Sequence, residues 1–293
     1  MSDPKQILID LKPQKEFFIG IDSDGSVFDT MEIKQKECFC PNFVKHFNLQ
    51  AVSKYARETW EFVNLYSSNR GCNRFNAILY ATDLLRERKE VKARGVHVLD
   101  MSPVRDWVAK ETKLGNPALI KYAAEVNDPV ISQTLDWSKA VNAAIADMVF
   151  GISPFPFVKE CLGKMSPRAD LMVVSQTPLE ALTREWEENK IDGFLRTIAG
   201  QEHGTKTEHI KYAAVGKYSS EKILMVGDAM GDLKAAKSNG VLFFPINPGH
   251  EEASWERFYQ EGIDRFFAGT FAGAYEEGLI SDFRKYLPEH PSW

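Results

Sequence analysis

Short apolar runs that run out into acidic or small polar residues recur along this chain: Phe17-Phe18-Ile19-Gly20-Ile21, Leu171-Met172-Val173-Val174, Ile223-Leu224-Met225-Val226 and Val241-Leu242-Phe243-Phe244. None alternates with polar residues, so each reads as a strand covered on both faces, the hallmark of a parallel sheet packed between helices. Helical patterns stand between the later runs. Thr177-Pro178-Leu179-Glu180 predicts a helix capped by Thr177 with Pro178 at its first position, and Leu179, Leu182 and Trp186 then share one face. Thr205-Lys206-Thr207-Glu208 predicts a second capping box, opening a helix through Ile210, Ala213 and Ala214 to Gly216. Asp232 to Asn239 reads as a short helix stopped by Gly240. Strand and helix alternating over residues 165–247 predict an open α/β fold.

The stretch from Met31 to Phe150 behaves differently. It carries long amphipathic segments, Val52 to Leu65, Phe75 to Arg88 and Leu135 to Val149, and few strand signals. We expect an α-helical insert over 31–150 and an α/β core formed by 1–30 and 151–293, with Gly151-Ile152-Ser153-Pro154-Phe155-Pro156 as the return linker. The insert separates the first strand from its sheet by roughly 120 residues, far more than an ordinary crossover.

At 293 residues, 44% hydrophobic and 26% charged, the chain is long and apolar enough for one large domain or two moderate ones. A net charge of −5 offers no electrostatic reason to expect nucleic acid or an anionic membrane as the main partner. The opening Met1-Ser2-Asp3-Pro4-Lys5-Gln6 lacks the basic flank and apolar stretch of a signal peptide, which predicts a cytoplasmic protein. Cys38, Cys40, Cys72 and Cys161 do not make a disulfide framework or a common zinc spacing and read as reduced packing thiols. Trp60, Phe62 and Trp107 read as core, and Glu252 to Tyr259 and Phe271 to Trp293 as packing elements.

Chemistry concentrates at the strand ends. After the first run comes Asp22-Ser23-Asp24-Gly25-Ser26-Val27-Phe28-Asp29-Thr30. Residues two apart in extended chain project to one side, so Asp22 and Asp24 can converge beyond the carboxyl end of the strand, where open α/β sheets bind ligands. A calcium loop is excluded, since its sixth position wants Gly and its twelfth Glu, and Val27 and Ile33 stand there. The third run ends in Gly227-Asp228-Ala229-Met230-Gly231-Asp232, adding two carboxylates at the same edge if the strands are parallel neighbours. Two like charges about 4 Å apart cost roughly 4 kcal/mol at an effective dielectric near 20, so the cluster implies a bound cation, a retained proton, or both. An all-oxygen donor set favours Mg²⁺. Ser175, closing the second run before a helix start, can offer a hydroxyl to an anion or be a plain strand-end residue. Lys206, at the first helical position, opposes the helix dipole and calls for an anionic partner, although Lys211 and Lys217 follow in the same segment. Gly200 to Thr207 is not a P-loop, because its glycine spacing is short and Thr205 stands between Gly204 and the lysine.

These elements, in this order, resemble the four motifs of the haloacid dehalogenase-like superfamily of phosphohydrolases. Asp22-Ser23-Asp24-Gly25 with Asp29-Thr30 is similar to the first, Ser175 to the second, Lys206 to the third, and Gly227-Asp228 with Asp232 to the fourth. Ser26 stands where the family more often has Thr. The resemblance implies a Rossmann-like parallel-sheet core with an α-helical cap inserted between the first and second motifs. It also implies a phosphatase for a small soluble phosphomonoester. Asp22 would form an aspartyl-phosphate and Asp24 would act as general acid and base. Mg²⁺ would be held by the Asp22 carboxylate, the Asp24 backbone carbonyl and Asp228, with Asp232 supporting. Ser175, Gln176 and Lys206 would hold phosphoryl oxygens. Arg70 and Arg74, flanked by aromatics in Tyr66-Ser67-Ser68-Asn69-Arg70-Gly71-Cys72-Asn73-Arg74-Phe75, are candidates for substrate contact in the cap. A phosphotransferase or mutase using the same intermediate, and a non-catalytic phosphate-binding regulatory protein, are the competing readings. The substrate and the oligomeric state are not readable from the sequence.

Overall fold

A computed structural model describes residues 3–293; Met1 and Ser2, which begin the stretch read against a signal peptide, lie outside the described residues. Five strands form one parallel sheet in the order β3-β2-β1-β4-β5. They are β1 (Phe17–Ile21), β2 (Ala169–Val174), β3 (Thr197–Ala199), β4 (Ile223–Gly227) and β5 (Leu242–Pro245). Register sets Ile21 opposite Val173 on one side and Val226 on the other, so the residues following β1, β2 and β4 emerge at one edge. Every residue of β1, β2, β4 and β5 is buried. Alternation divides them between two cores: Ile19, Leu171, Leu224 and Phe244 face one side with Trp186 and Trp255, while Phe18, Met172, Met225 and Phe243 face the other with Ile210 and Phe283. Burial on both faces is why these strands show no polar alternation. Strand β3 escaped the sequence reading because its three residues are an edge, mostly half-buried and without an apolar run.

The described chain divides into two compact units. One comprises the described residues through Thr30 with Phe150–Pro288; the other comprises Met31–Val149 with Glu289–Trp293. The second is helical, with Ser53–Leu65, Arg74–Glu87 and Pro129–Met148 its longest described helices. Its core is aromatic. Trp60 packs 5.0 Å from Phe43 and 5.8 Å from Trp137, and Phe75 meets Trp107 edge-on at 4.9 Å. The last residues belong to this packing: Trp293 stacks on the Arg88 guanidinium and meets Phe62 edge-on. All four cysteines are free thiols. No described helix is long and apolar enough to cross a membrane.

Candidate active site

The turn after β1 is held from several directions. The Asp22 amide continues the ladder, donating to Val226 O, and the Ser23 carbonyl accepts from the amides of Ser26, Val27 and Phe28. Gly25 takes a positive φ of 78°, which permits the reversal. Two indoles fasten the turn to the core: Trp186 Nε1 donates to Ser23 Oγ at 3.0 Å and Trp255 Nε1 to Ser26 O at 2.7 Å. Ser23 and Ser26 are both fully buried, so these bonds also satisfy polar groups that water cannot reach.

The residues following β4 arrive beside it. Ser26 Oγ donates to Asp228 Oδ1 at 2.6 Å. Asp232, on the helix Met230–Ser238, turns back to accept from the Ala229 amide at 3.0 Å. This close return requires Gly227, where an added Cβ would lie 2.5 Å from the Asp232 side chain. Thr205 and Glu208 form the expected capping box, which places Lys206 at the first position of the helix Lys206–Ala213. From there Lys206 Nζ lies 2.8 Å from Asp22 Oδ2 and 2.6 Å from Asp232 Oδ1. Lys217 instead donates to the carbonyls of Leu8 and Ile9, and Lys211 is exposed.

Asp22, Asp228 and Asp232 offer carboxylate oxygens within 4.8 Å of one another, and all three residues are buried. Burial pushes the Asp22 carboxyl well up from its ordinary value; Lys206 pulls it back, while Asp232 and Asp228 push it further up. Asp232 is raised too, by burial and by Asp228, against Lys206. Burial works against the Lys206 charge, but Asp22 and Asp232 outweigh it and hold the ammonium well above the ordinary lysine value. Lys206 thus bridges two of the three carboxylates, and Ser26 bonds the third. The donor set is all oxygen, and it fits a hard divalent cation such as Mg²⁺.

The Asp24 carboxylate stands apart from this triad. Its Oδ1 accepts from Thr30 Oγ1 at 2.5 Å and its Oδ2 from Thr177 Oγ1 at 2.7 Å. Sequence reasoning missed the second bond, since it assigned the Thr177 hydroxyl to a helix cap. The helix begins instead at Leu179, Pro178 is the capping position without a side-chain bond, and Glu202 Oε2 accepts the Leu179 amide at 3.0 Å. With its hydroxyl turned to Asp24, Thr177 leaves the free amide to a carboxylate 23 residues away. No local pattern could signal that exchange.

Ser175 follows β2, its amide donating to Ala199 O and its Oγ accepting the Thr177 amide at 3.2 Å. Gln176 donates to Gly204 O at 2.8 Å, tying the segment after β2 to the one before Lys206. Arg70 and Arg74 lie in the helical unit. Arg70 is buried and donates to Leu65 O; Arg74 donates to Ser138 and Asn142 and stacks on Phe39. Burial pushes Arg74 down to about 10.

A model of the family described as haloacid dehalogenase-like hydrolase matches residues 109–246, a span that includes Ser175, Lys206, Asp228 and Asp232. No curated protein matches. Similar solved structures include a haloacid dehalogenase-like family hydrolase from Streptococcus pneumoniae, 14% identical, covering 82% of this chain and 90% of its own, with a TM-score of 0.43. A predicted phosphatase from Clostridium acetobutylicum is 15% identical, covering 79% and 85%, with a TM-score of 0.41. A predicted phosphoglycolate phosphatase from Haemophilus somnus is 17% identical, covering 80% and 86%, with a TM-score of 0.49. The family match over residues 109–246, together with a first-motif aspartate bridged by Lys206 to the fourth, supports placing this chain in the haloacid dehalogenase-like hydrolase superfamily.

Proposed function

We propose that the protein is a Mg²⁺-dependent phosphatase acting on a small soluble phosphomonoester. The observation that carries this reading is the buried triad of Asp22, Asp228 and Asp232, with Lys206 bridging Asp22 and Asp232. Asp22, Asp228 and the Asp24 backbone carbonyl would hold a divalent ion, with Asp232 supporting them. When bound, that ion neutralises the carboxylates and withdraws charge from a phosphoryl group.

The chain's own side chains do the rest. Asp22 presents a carboxylate oxygen for in-line attack on phosphorus, forming an aspartyl-phosphate while the ester oxygen departs. Asp24 gives that oxygen a proton and takes one back from the water that hydrolyses the intermediate. Lys206 and the Ser175 hydroxyl hold the equatorial oxygens, where charge builds. The helical unit follows directly after Thr30, and the resemblance gives such an insert the part of a cap, with Arg70 and Arg74 as candidates for substrate contact. The free, mostly buried thiols support a reducing, cytoplasmic setting.

The test is a phosphate-release screen over sugar phosphates, nucleotides and small acid phosphates, with Mg²⁺ and with chelator. Asp22→Asn is expected to abolish release while the variant stays folded; wild-type turnover in that variant would overturn the mechanism.

A further inference from the structure

Thr177 holds a position that the reading above leaves without a task. Its hydroxyl reaches Asp24 Oδ2 at 2.7 Å, across 153 residues of sequence. The residue is pinned on both sides: its amide donates to Ser175 Oγ at 3.2 Å, and its carbonyl accepts the Gln201 amide at 3.1 Å. Gly200 packs so closely that an added Cβ would lie 2.8 Å from the Thr177 carbonyl oxygen and 2.8 Å from the Leu179 nitrogen. Pro178, with φ −56°, stiffens the next step. A side chain that could have capped the helix is aimed at a carboxylate by a backbone with little freedom to turn away.

We infer that Thr177 is the positioning residue for Asp24, holding its carboxyl in register with the leaving oxygen of an ester seated by Ser175. The inference rests on the phosphatase reading and assigns Thr177 a part in it. A hydroxyl suits the task because it donates to a carboxylate and accepts from a carboxylic acid, so it keeps hold of Asp24 whether or not the proton has moved. In the step it serves, the bond from an Asp22 oxygen to phosphorus forms and the phosphorus–ester oxygen bond breaks. The Asp24 proton passes to the departing oxygen, so the alcohol leaves neutral and Asp24 is left as carboxylate. The same threonine links the group that binds the phosphoryl oxygens to the group that protonates the leaving oxygen, through Ser175 Oγ at one end and Asp24 at the other.

The experiment compares phenyl phosphate with 4-nitrophenyl phosphate, esters of similar shape. The first expels a basic phenoxide that needs a proton, and the second expels one that needs it far less. The readout is kcat/KM, which stops at formation of the phospho-enzyme, for wild type, Thr177→Val, Thr177→Ala, Thr177→Ser and Asp24→Asn. Thr177→Val is expected to lose roughly tenfold or more on phenyl phosphate and at least about threefold less than that on the nitro ester, a part of the roughly hundredfold or more that a general acid supplies. Thr177→Ala should repeat this pattern, Thr177→Ser should recover most of the loss, and Asp24→Asn should show the same discrimination more strongly. Equal losses on both esters in the Val and Ala variants, with Asp24→Asn still discriminating, would overturn the role of Thr177 and leave the phosphatase standing. Asp24→Asn losing equally on both esters would remove Asp24 as the acid and this inference with it. Wild-type protein that releases phosphate from neither ester, and from none of the esters in the screen above, would sink the phosphatase reading itself.

Discussion

Lys206 Nζ lies 2.8 Å from Asp22 Oδ2, joining the first residue of a helix to the residue that follows β1, 184 positions earlier in the chain. The same ammonium bonds Asp232 at 2.6 Å, so one cation serves two buried acids. Removing one partner of a buried, hydrogen-bonded ion pair leaves the other charge uncompensated, which typically costs about 3–5 kcal/mol. Lys206→Met is therefore expected to be less stable by that order and to lose at least about a hundredfold in turnover through lost stabilisation of the phosphoryl oxygens. Urea unfolding and phosphate release measure the two effects, and a variant as stable as wild type would contradict the charge argument.

The carboxylate triad predicts a response to divalent ions in the absence of any substrate. Mg²⁺ at a hundred times its dissociation constant should stabilise the folded protein by about 2.7 kcal/mol. The rise in Tm with Mg²⁺ should shrink in Asp228→Asn, which keeps its shape but loses a ligand charge. A Tm indifferent to Mg²⁺ in the wild-type protein would count against a metal at the triad.

Two nearby glycines should behave oppositely. At Gly227 a methyl group would meet the Asp232 side chain at 2.5 Å, whereas at Gly231 nothing lies within 4 Å. Gly227→Ala is expected to cost about 1–3 kcal/mol, with reduced turnover as Asp232 is displaced. Gly231→Ala, in a helix, should be neutral or gain up to about 1 kcal/mol. Similar stability changes for the two would show that the close return to Asp232 is not what demands Gly227.

His209 is fully buried, and among the described residues neither ring nitrogen has a well-formed hydrogen bond. Burial, reinforced by His203 and Lys206, pushes it down to about 4. The folded value lies below the unfolded one, so between pH 6.5 and pH 4 the unfolded chain takes up a proton that the folded chain refuses. This stability is complete above about pH 6.5 and is lost as pH falls toward 4, amounting to about 3 kcal/mol at the lower end. Chemical denaturation of wild type and His209→Gln at pH 7 and pH 5 should show a smaller pH-dependent loss in the variant, by about 2 kcal/mol. Parallel losses would mean that His209 does not report its burial in this way.

How much of the site could be read in advance depended on the range over which each signal acts. The runs ending at Ile21, Val174 and Val226 announced buried parallel strands because burial on both faces removes polar residues from the sequence itself. The Thr205 and Glu208 cap was equally readable, since both partners lie within one turn and each side chain bonds the other's backbone amide. Asp22, Asp228, Asp232 and Lys206 could be picked out as residues awaiting a partner, because charge at a strand end or a helix start carries its own cost. Their pairing needed the strand order, in which β1 lies between β2 and β4 and brings their ends together. Long-range choices left no local trace. Thr177 looked like a helix cap until Asp24 came within 2.7 Å and Glu202 took over the Leu179 amide. Trp186 and Trp255 read as core apolar residues, yet their ring nitrogens secure the turn that carries Asp22 and Asp24. A hydrogen bond goes to whichever partner the fold presents with the better geometry, and across 150 residues only the folded chain brings the candidates into competition.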